Sequence, residues 1–388
     1  MSSPFKCAAG VSTTDAGADS FAEAAARAEL ALGGAPADVA VVFAGASNLA
    51  HAGEGMRAVT ERLHPGAAIG CGAQGVVGEA REVELGGVAV WAASLGRGSA
   101  EAFALEASEA GEGTLEISGV PDLDRADALI LLVDPFSFPV EPLLATLADG
   151  HPGLPVVGGL ASARGDVGTL VGEAGPVEAG AVGLALSGVR VAACVSQGAR
   201  PIGPEMAITA GEGNVIYELA GKPAVARLQE AIAELSPGER ELAVRGLLLG
   251  LVVDPNKPDY ERGDFLVRGI LAADAESGSL TVGERIRVGQ AVRLQVRDAA
   301  SADEDLAAAL ERGMADLGGP PAGTLLFTCN GRGSHMFPMP DHDARLLDEA
   351  THAPAAGFFC AGEIGPVGPR NFVHGFTATM ALLAPVME

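Results

Sequence analysis

Two periodicities take turns along this chain. In Asp19–Leu32 the apolar positions Phe21, Ala25, Ala28 and Leu32 fall near helical spacing and predict an amphipathic helix, which Gly33-Gly34 ends. A short buried strand is predicted at Val39–Phe43 and a helix near Gly53–Leu63. His64-Pro65-Gly66 reads as a turn, and Ala67–Cys71 as a strand running into a glycine-rich loop. Val83–Leu95 reads mostly as strand with a break at Gly86-Gly87, and Ala102–Ala107 alternates weakly. Ala126–Val133 is continuously apolar, as a strand covered on both faces must be, and Asp134-Pro135 stops it. Val140–Leu147 predicts a short helix. Pro155–Leu160 and Ala181–Ser187 predict strands, with Val189–Ser196 as the return arm of a hairpin turning at Ser187-Gly188.

The second half begins near Lys222-Pro223, where Pro suits a first helical position, and Pro223–Leu235 predicts a helix. Ala243–Val253 is an apolar run ending at Asp254-Pro255, and Asp264–Leu271, Leu280–Val282 and Ala291–Val296 predict strands. Ser301–Leu317 predicts a helix with Ser301 as its cap, Glu304 completing a capping box, and a stripe of Leu306, Leu310, Met314 and Leu317. Leu325–Phe327 and Gly357–Cys360 predict strands, and Phe372–Leu383 closes the chain as a strand or a helix start. Ala107–Pro121 and Ala163–Glu178 are Gly-rich and predict surface loops. Strands and helices alternate but hairpin-like pairs recur. That mixture predicts a mixed α/β (α+β) fold, with two lobes of layered mixed β-sheets flanked by helices. The expected domains are 1–221 and 222–388.

Composition narrows the function classes. At roughly 100–200 residues per domain, 388 residues suit two domains. Hydrophobic residues make up 48%, enough for a large core and too many for a disordered chain. Fifty acidic residues against 25 basic ones leave a net charge of −25, which repels phosphate backbones and anionic lipid. No nucleic acid and no membrane are therefore expected as partners. The apolar runs stay far below the roughly 20 residues of a spanning helix, and Met1-Ser2-Ser3-Pro4 opens no signal-peptide core. A cytoplasmic location is the expectation. Cys7, Cys71, Cys194, Cys329 and Cys360 are odd in number and never spaced as a metal or disulfide framework, so no metal is expected.

Three glycine-rich segments are candidates for chemistry. Gly70-Cys-Gly-Ala-Gln-Gly75 has the spacing of a dinucleotide loop, but strand-like sequence follows it where a helix N-terminus is needed. It is read as a tight turn, with Gly70, Cys71 and Gly75 lining a secondary pocket together with Gly158 and Gly159. The third segment is the C-terminal set. A strand ends at Cys329, and Asn330, Gly331, Arg332 and Gly333 follow; a second strand ends at Cys360, and Glu363, Arg370, Asn371 and His374 come behind it. Strand ends are where α/β sheets bind ligands. Gly331 and Gly333 can free backbone N–H groups, Arg332 offers a planar fork to a carboxylate, and Glu363 can accept from an ammonium group. The competing reading is structural: Glu363 and an arginine pair with each other across two turns.

These same residues carry a resemblance. Thr328-Cys-Asn-Gly-Arg-Gly333, Gly357-Phe-Phe-Cys-Ala-Gly-Glu-Ile-Gly-Pro366 and Asn371-Phe-Val-His-Gly-Phe-Thr-Ala378 resemble the FIST C-domain signature. Asp38–Phe43, His64–Gly78 and Arg81–Glu84 resemble the FIST N-domain, and Val288–Asp298 resembles the lead-in to the C-domain helix. The resemblance spans about residues 20–384. It implies a stand-alone sensory module for small ligands, amino acids or small carboxylates among them, that passes its signal to a separate signalling protein. It also implies F-box-associated adaptors as an alternative role and haem as a possible cofactor, though no histidine is marked as its ligand; otherwise no cofactor is expected. A hydrolase using Cys329 or Cys360 with His335 or His374 is a further alternative, but Cys360 lies in an apolar run and no G-x-S-x-G elbow occurs, so no catalytic residue is assigned.

Overall fold

Short apolar runs cut by Gly and Pro build four sheets among the described residues of the computed structural model, which are 4–109, 111, 115–163, 170–172, 175–177 and 179–387. The seven helices among them are α1 (Ala18–Leu32), α2 (Ala52–Leu63), α3 (Val140–Gly150), α4 (Ala224–Glu234), α5 (Pro237–Arg245), α6 (Ala299–Leu317) and α7 (His342–Thr351). The fold is mixed α and β, as its alternating pattern predicts.

The first sheet orders its strands Phe5–Ser12, Val88–Leu95, Val39–Gly45, Ala67–Ala73, Leu170–Gly172, Gly175–Val177. The second runs Arg370–His374, Gly362–Val367, Val156–Leu160, Ala128–Val133, Ala181–Ser187, Ser99–Glu109, Leu115–Ser118. The third runs Val189–Ser196, Ala378–Pro385, Gly323–Cys329, Ala355–Cys360, Val76–Gly78, Arg81–Val83. The fourth joins Ala199–Glu212, Ala291–Arg297, Leu247–Val252, Phe265–Ala273, Leu280–Val282, Val215–Leu219 and Lys222–Pro223.

Each of the first three sheets holds a parallel pair: Val39–Gly45 with Ala67–Ala73, Ala128–Val133 with Val156–Leu160, and Gly323–Cys329 with Ala355–Cys360. A parallel pair cannot close through a tight turn, so each needs a crossover. The crossovers contain α2, α3 and α7 respectively. These paired strands are buried almost throughout, which explains their unbroken apolar runs. One core joins the inner faces of the three sheets, and Phe43 stacks on Phe358 at 5.2 Å within it.

One compact unit comprises the residues up to Val195 and from Leu306 onward; Ser196–Asp305 form the other. Both halves of the sequence supply strands to the second and third sheets: Gly362–Val367 pairs with Val156–Leu160, and Val76–Gly78 with Ala355–Cys360. Residue 221, the expected domain boundary, lies within the second unit.

Several elements differ from their sequence reading. Ala181–Ser187 and Val189–Ser196 are both strands, but they join different sheets, so Gly188 (φ 67°) turns a corner between layers where a hairpin was expected. α6 starts at Ala299, and Asp298 supplies its cap: Oδ1 accepts the Ser301 N–H at 2.9 Å, and Oδ2 accepts the Ser301 hydroxyl at 2.8 Å. Inside Ala243–Val253, α5 occupies the first residues and the strand starts only at Leu247. The Ser236–Glu239 capping box marks that helix start, with both reciprocal bonds made. The stretch Ala107–Pro121 holds strand Leu115–Ser118 paired to Ser99–Glu109. Leu170–Gly172 pairs with Gly175–Val177 inside the other expected loop, whose positions 164–169, 173, 174 and 178 lie outside the described residues. The chain end resolves into two strands, Arg370–His374 and Ala378–Pro385. No helix among the described residues is long and apolar enough to cross a membrane.

Candidate functional site

Strand Gly323–Cys329 and its parallel neighbour end level with each other, Cys329 opposite Cys360. Beyond Cys329 the chain turns sharply: the Arg332 N–H returns to the Cys329 carbonyl at 2.9 Å, and the Asn330 N–H reaches the Cys360 carbonyl at 3.0 Å. Gly333 sits at φ 59°, where a Cβ would come within 2.7 Å of Glu84 Oε1. Beyond Cys360 the chain passes into the second sheet, where Glu363 stands between Gly159 on one strand and His374 on the other. Tertiary structure therefore brings the Gly158-Gly159 segment against the Glu363 strand.

Arg332 does not face open space. It is fully buried, and its guanidinium makes a two-point pair with Asp343, Nε to Oδ2 at 2.7 Å and Nη2 to Oδ1 at 2.8 Å. Thr328 Oγ1 donates to Asp343 Oδ2 at 2.7 Å, and His342 Nδ1 lies 2.9 Å from Oδ1. The Phe337 ring lies 5.2 Å under the guanidinium and stacks on His342 at 3.4 Å. Burial alone would raise the Asp343 carboxyl, but the Arg332 charge and these bonds override it and hold it well below the usual carboxylate range. Asp343 lies in the first turn of α7, whose Asp343 and Ala344 N–H groups donate to Glu82 Oε1 at 2.8 and 3.1 Å. Burial, with the Asp343 charge added, pushes the Glu82 carboxyl up to about 7.

Glu363 is also fully buried. Its Oε2 accepts from the Thr377 N–H at 3.0 Å and the Thr377 hydroxyl at 2.7 Å. Burial pushes its carboxyl up to about 8; the Thr377 bonds, the Arg332 charge and the Cys329 thiol oppose that rise. Four buried polar atoms of this cluster have no nitrogen or oxygen partner among the described residues: Arg332 Nη1, Glu363 Oε1, Asn330 Oδ1 and Glu82 Oε2. Burial and the Glu363 charge push the Cys360 thiol well up, away from the thiolate that a nucleophile needs.

The other expected residues divide. Buried His374 has Nε2 3.0 Å from the Gly365 carbonyl. Asn371 is buried and bridges the backbone, donating to the Leu154 carbonyl at 2.8 Å and accepting the Val156 N–H at 3.0 Å. Arg370 is exposed, 3.8 Å from Asp149, and so lies apart from the buried group. At the secondary set, protein atoms occupy the space a side chain would need. A Cβ at Gly70 would meet the Val42 carbonyl, one at Gly75 the Val83 carbonyl, one at Gly158 the Leu131 carbonyl and one at Gly159 the Cys360 sulfur. Cys71 is buried in the shared core.

The sequence reading missed Asp343 and Glu82 as partners of the site. Asp343 was findable in principle. Asp343 opens a run whose Ala344 and Leu347 are buried at helical spacing, and a carboxylate in a first helical turn is favoured there.

The model of the FIST N domain matches residues 38–222, and the model of the FIST C domain matches residues 224–366. An uncharacterized protein of Mycobacterium tuberculosis, Rv0628c, is 45% identical over 378 residues, covering 96% of this chain and 98% of its own length. An uncharacterized protein of Mycobacterium bovis, Mb0898c, is 42% identical over 384 residues, covering 98% of this chain and 99% of its own length. With both domain models matched along most of its length, the chain belongs to the FIST family, whose domains are small-ligand sensory modules of signalling.

Proposed function

We propose that this protein senses a small amino-acid-like molecule or small carboxylate at the Asn330–Gly333 turn and Glu363, and relays its presence to a separate signalling protein. The observation that carries this reading is the buried set left short of partners: one guanidinium nitrogen of Arg332, one carboxyl oxygen of Glu363 and the amide oxygen of Asn330. Unpartnered buried polar atoms are costly, so a ligand that supplies their bonds is stabilised by them. Arg332 Nη1 suits a carboxylate oxygen; Asn330 Oδ1 suits an ammonium group, as does Glu363 Oε1 once the incoming positive charge has drawn off its proton. Exposed Arg370 has no part in this version of the site.

The test is a thermal-shift screen of the full chain against the amino acids and small mono- and dicarboxylates. A hit should raise the melting temperature of the wild type, and Glu363→Gln and Asn330→Ala should each shrink that rise. A screen without hits, or a shift that persists in both variants, overturns the assignment.

A further inference from the structure

A second feature of the first unit is independent of the ligand reading. Strand Val189–Ser196 is the last strand of the third sheet, and Ala378–Pro385 is its one neighbour in the sheet order. Its opposite edge carries no strand among the described residues. The Val189 N–H points to that edge, because the Asp127 carboxylate accepts it at 3.1 Å. In an extended strand alternate residues direct their backbone N–H and C=O groups to the same edge, so those of Val191, Ala193 and Val195 share it. A cleft of 590 Å³ is lined by Val189, Val191 and Ala193 and, from other elements, by Pro366, Pro369 and Asp316 among others. The volume suits a specific ligand and exceeds what a bound ion needs.

Sheet edges are normally guarded by a projecting charge, a proline or a bulge. No proline falls in Val189–Val195. The charged side chain of the segment, Arg190, turns aside and donates to the Pro385 and Leu317 carbonyls. Two carboxylates, Asp127 and Asp316, remain on the cleft wall.

We propose that this edge takes up an extended segment of another polypeptide by β-addition, and that the segment carries a lysine or arginine directed at Asp127 and Asp316. Main-chain bonds to Val191 and Ala193 hold the segment, and the two carboxylates select its charge. A second copy of this chain is a poor occupant. Two copies of net charge −25 repel, and edge-to-edge pairing would bring their aspartates together.

The experiment pans a phage-displayed library of random octapeptides on the full-length protein and synthesises the enriched sequences. The expected peptides contain a basic residue and no central proline, and their binding slows hydrogen exchange at the Val191 and Ala193 amides. Val191→Pro removes a free-edge donor and leaves the ladder to Ala378–Pro385 intact, as proline is tolerated there. It should weaken the peptides about tenfold, the size of one lost backbone bond. Asp316→Asn should weaken the basic peptides and spare their uncharged versions. If Val191→Pro melts early, Ala193→Pro replaces it. No enrichment, binding unchanged in the proline variant, or unchanged exchange at both amides overturns the proposal. Self-association that Val191→Pro abolishes, without peptide enrichment, assigns the edge to a second copy and equally overturns it.

Discussion

Arg332 and Asp343 close a two-point ion pair inside the core, with side-chain exposures of 0% and 1%. The pair ties the turn after strand Gly323–Cys329 to the first turn of α7. Two buried charges are tolerable only because each answers the other and Thr328 and His342 bond the remaining carboxylate positions. The arginine expected to wait for a ligand is therefore mostly committed to the fold.

Breaking the pair from one side leaves an uncompensated buried charge. Arg332→Ala should destabilise the protein by about 3–5 kcal/mol. An apolar double replacement, Arg332→Met with Asp343→Leu, should lose clearly less than the two single changes combined. Urea denaturation followed by circular dichroism measures this, and additive losses would show that the two side chains act separately.

Glu363 sets a pH dependence of definite sign. Burial pushes its folded-state carboxyl up to about 8, above its unfolded value near 4.5. The folded state then binds the proton more tightly, so this contribution is full below about 4.5 and is lost as pH rises through about 8. Glu82, pushed up to about 7, acts in the same direction. Asp343 is depressed, so its contribution is present above the ordinary carboxylate range and is lost in acid. Melting temperatures from pH 5 to 8 should fall less steeply in Glu363→Gln than in the wild type. Parallel curves would remove Glu363 from the account.

Adjacent residues Arg370 and Asn371 should respond oppositely. Asn371→Ala strands the Leu154 carbonyl and the Val156 N–H, and should destabilise by about 1–3 kcal/mol. Arg370→Ala removes an exposed, 3.8 Å ion pair and should change stability by less than about 1 kcal/mol. Equal effects in chemical denaturation would contradict the two environments.

Glycines separate by what surrounds them. Gly158→Ala and Gly357→Ala drive a Cβ into the Leu131 and Leu326 carbonyls of the adjoining strands, and both variants should be poorly folded at 37 °C or recovered insoluble. Gly238→Ala lies in α5 with open space around it and should stabilise by about 0.5–1 kcal/mol. Soluble yield and melting temperature of the three variants check this.

Much of the fold was legible because its signals are local. α1 and α2, the all-buried strand Ala128–Val133 and the stripe of α6 each announce themselves by period and punctuation. α7 was passed over because its short polar run has few apolar positions, and with it went Asp343. Strand Ala199–Glu212 was missed for a related reason: a bulge between Ile202 and Glu205 interrupts its alternation. The site residues Asn330, Arg332 and Glu363 were legible as a motif, but their state was not, since no local pattern says which carboxylate an arginine will meet.

By itself the sequence determined the kind of protein: most of the elements, the buried strands, the net negative charge and the family motifs, nearly all written in spacings of a few residues. Tertiary structure alone decided how distant pieces combine. It split an expected hairpin between two sheets, laid Gly159 against Glu363, and spent Arg332 on Asp343. The physical reason is that periodicity reports which face of an element is buried, whereas the partner of a buried charge is chosen by where the layers meet.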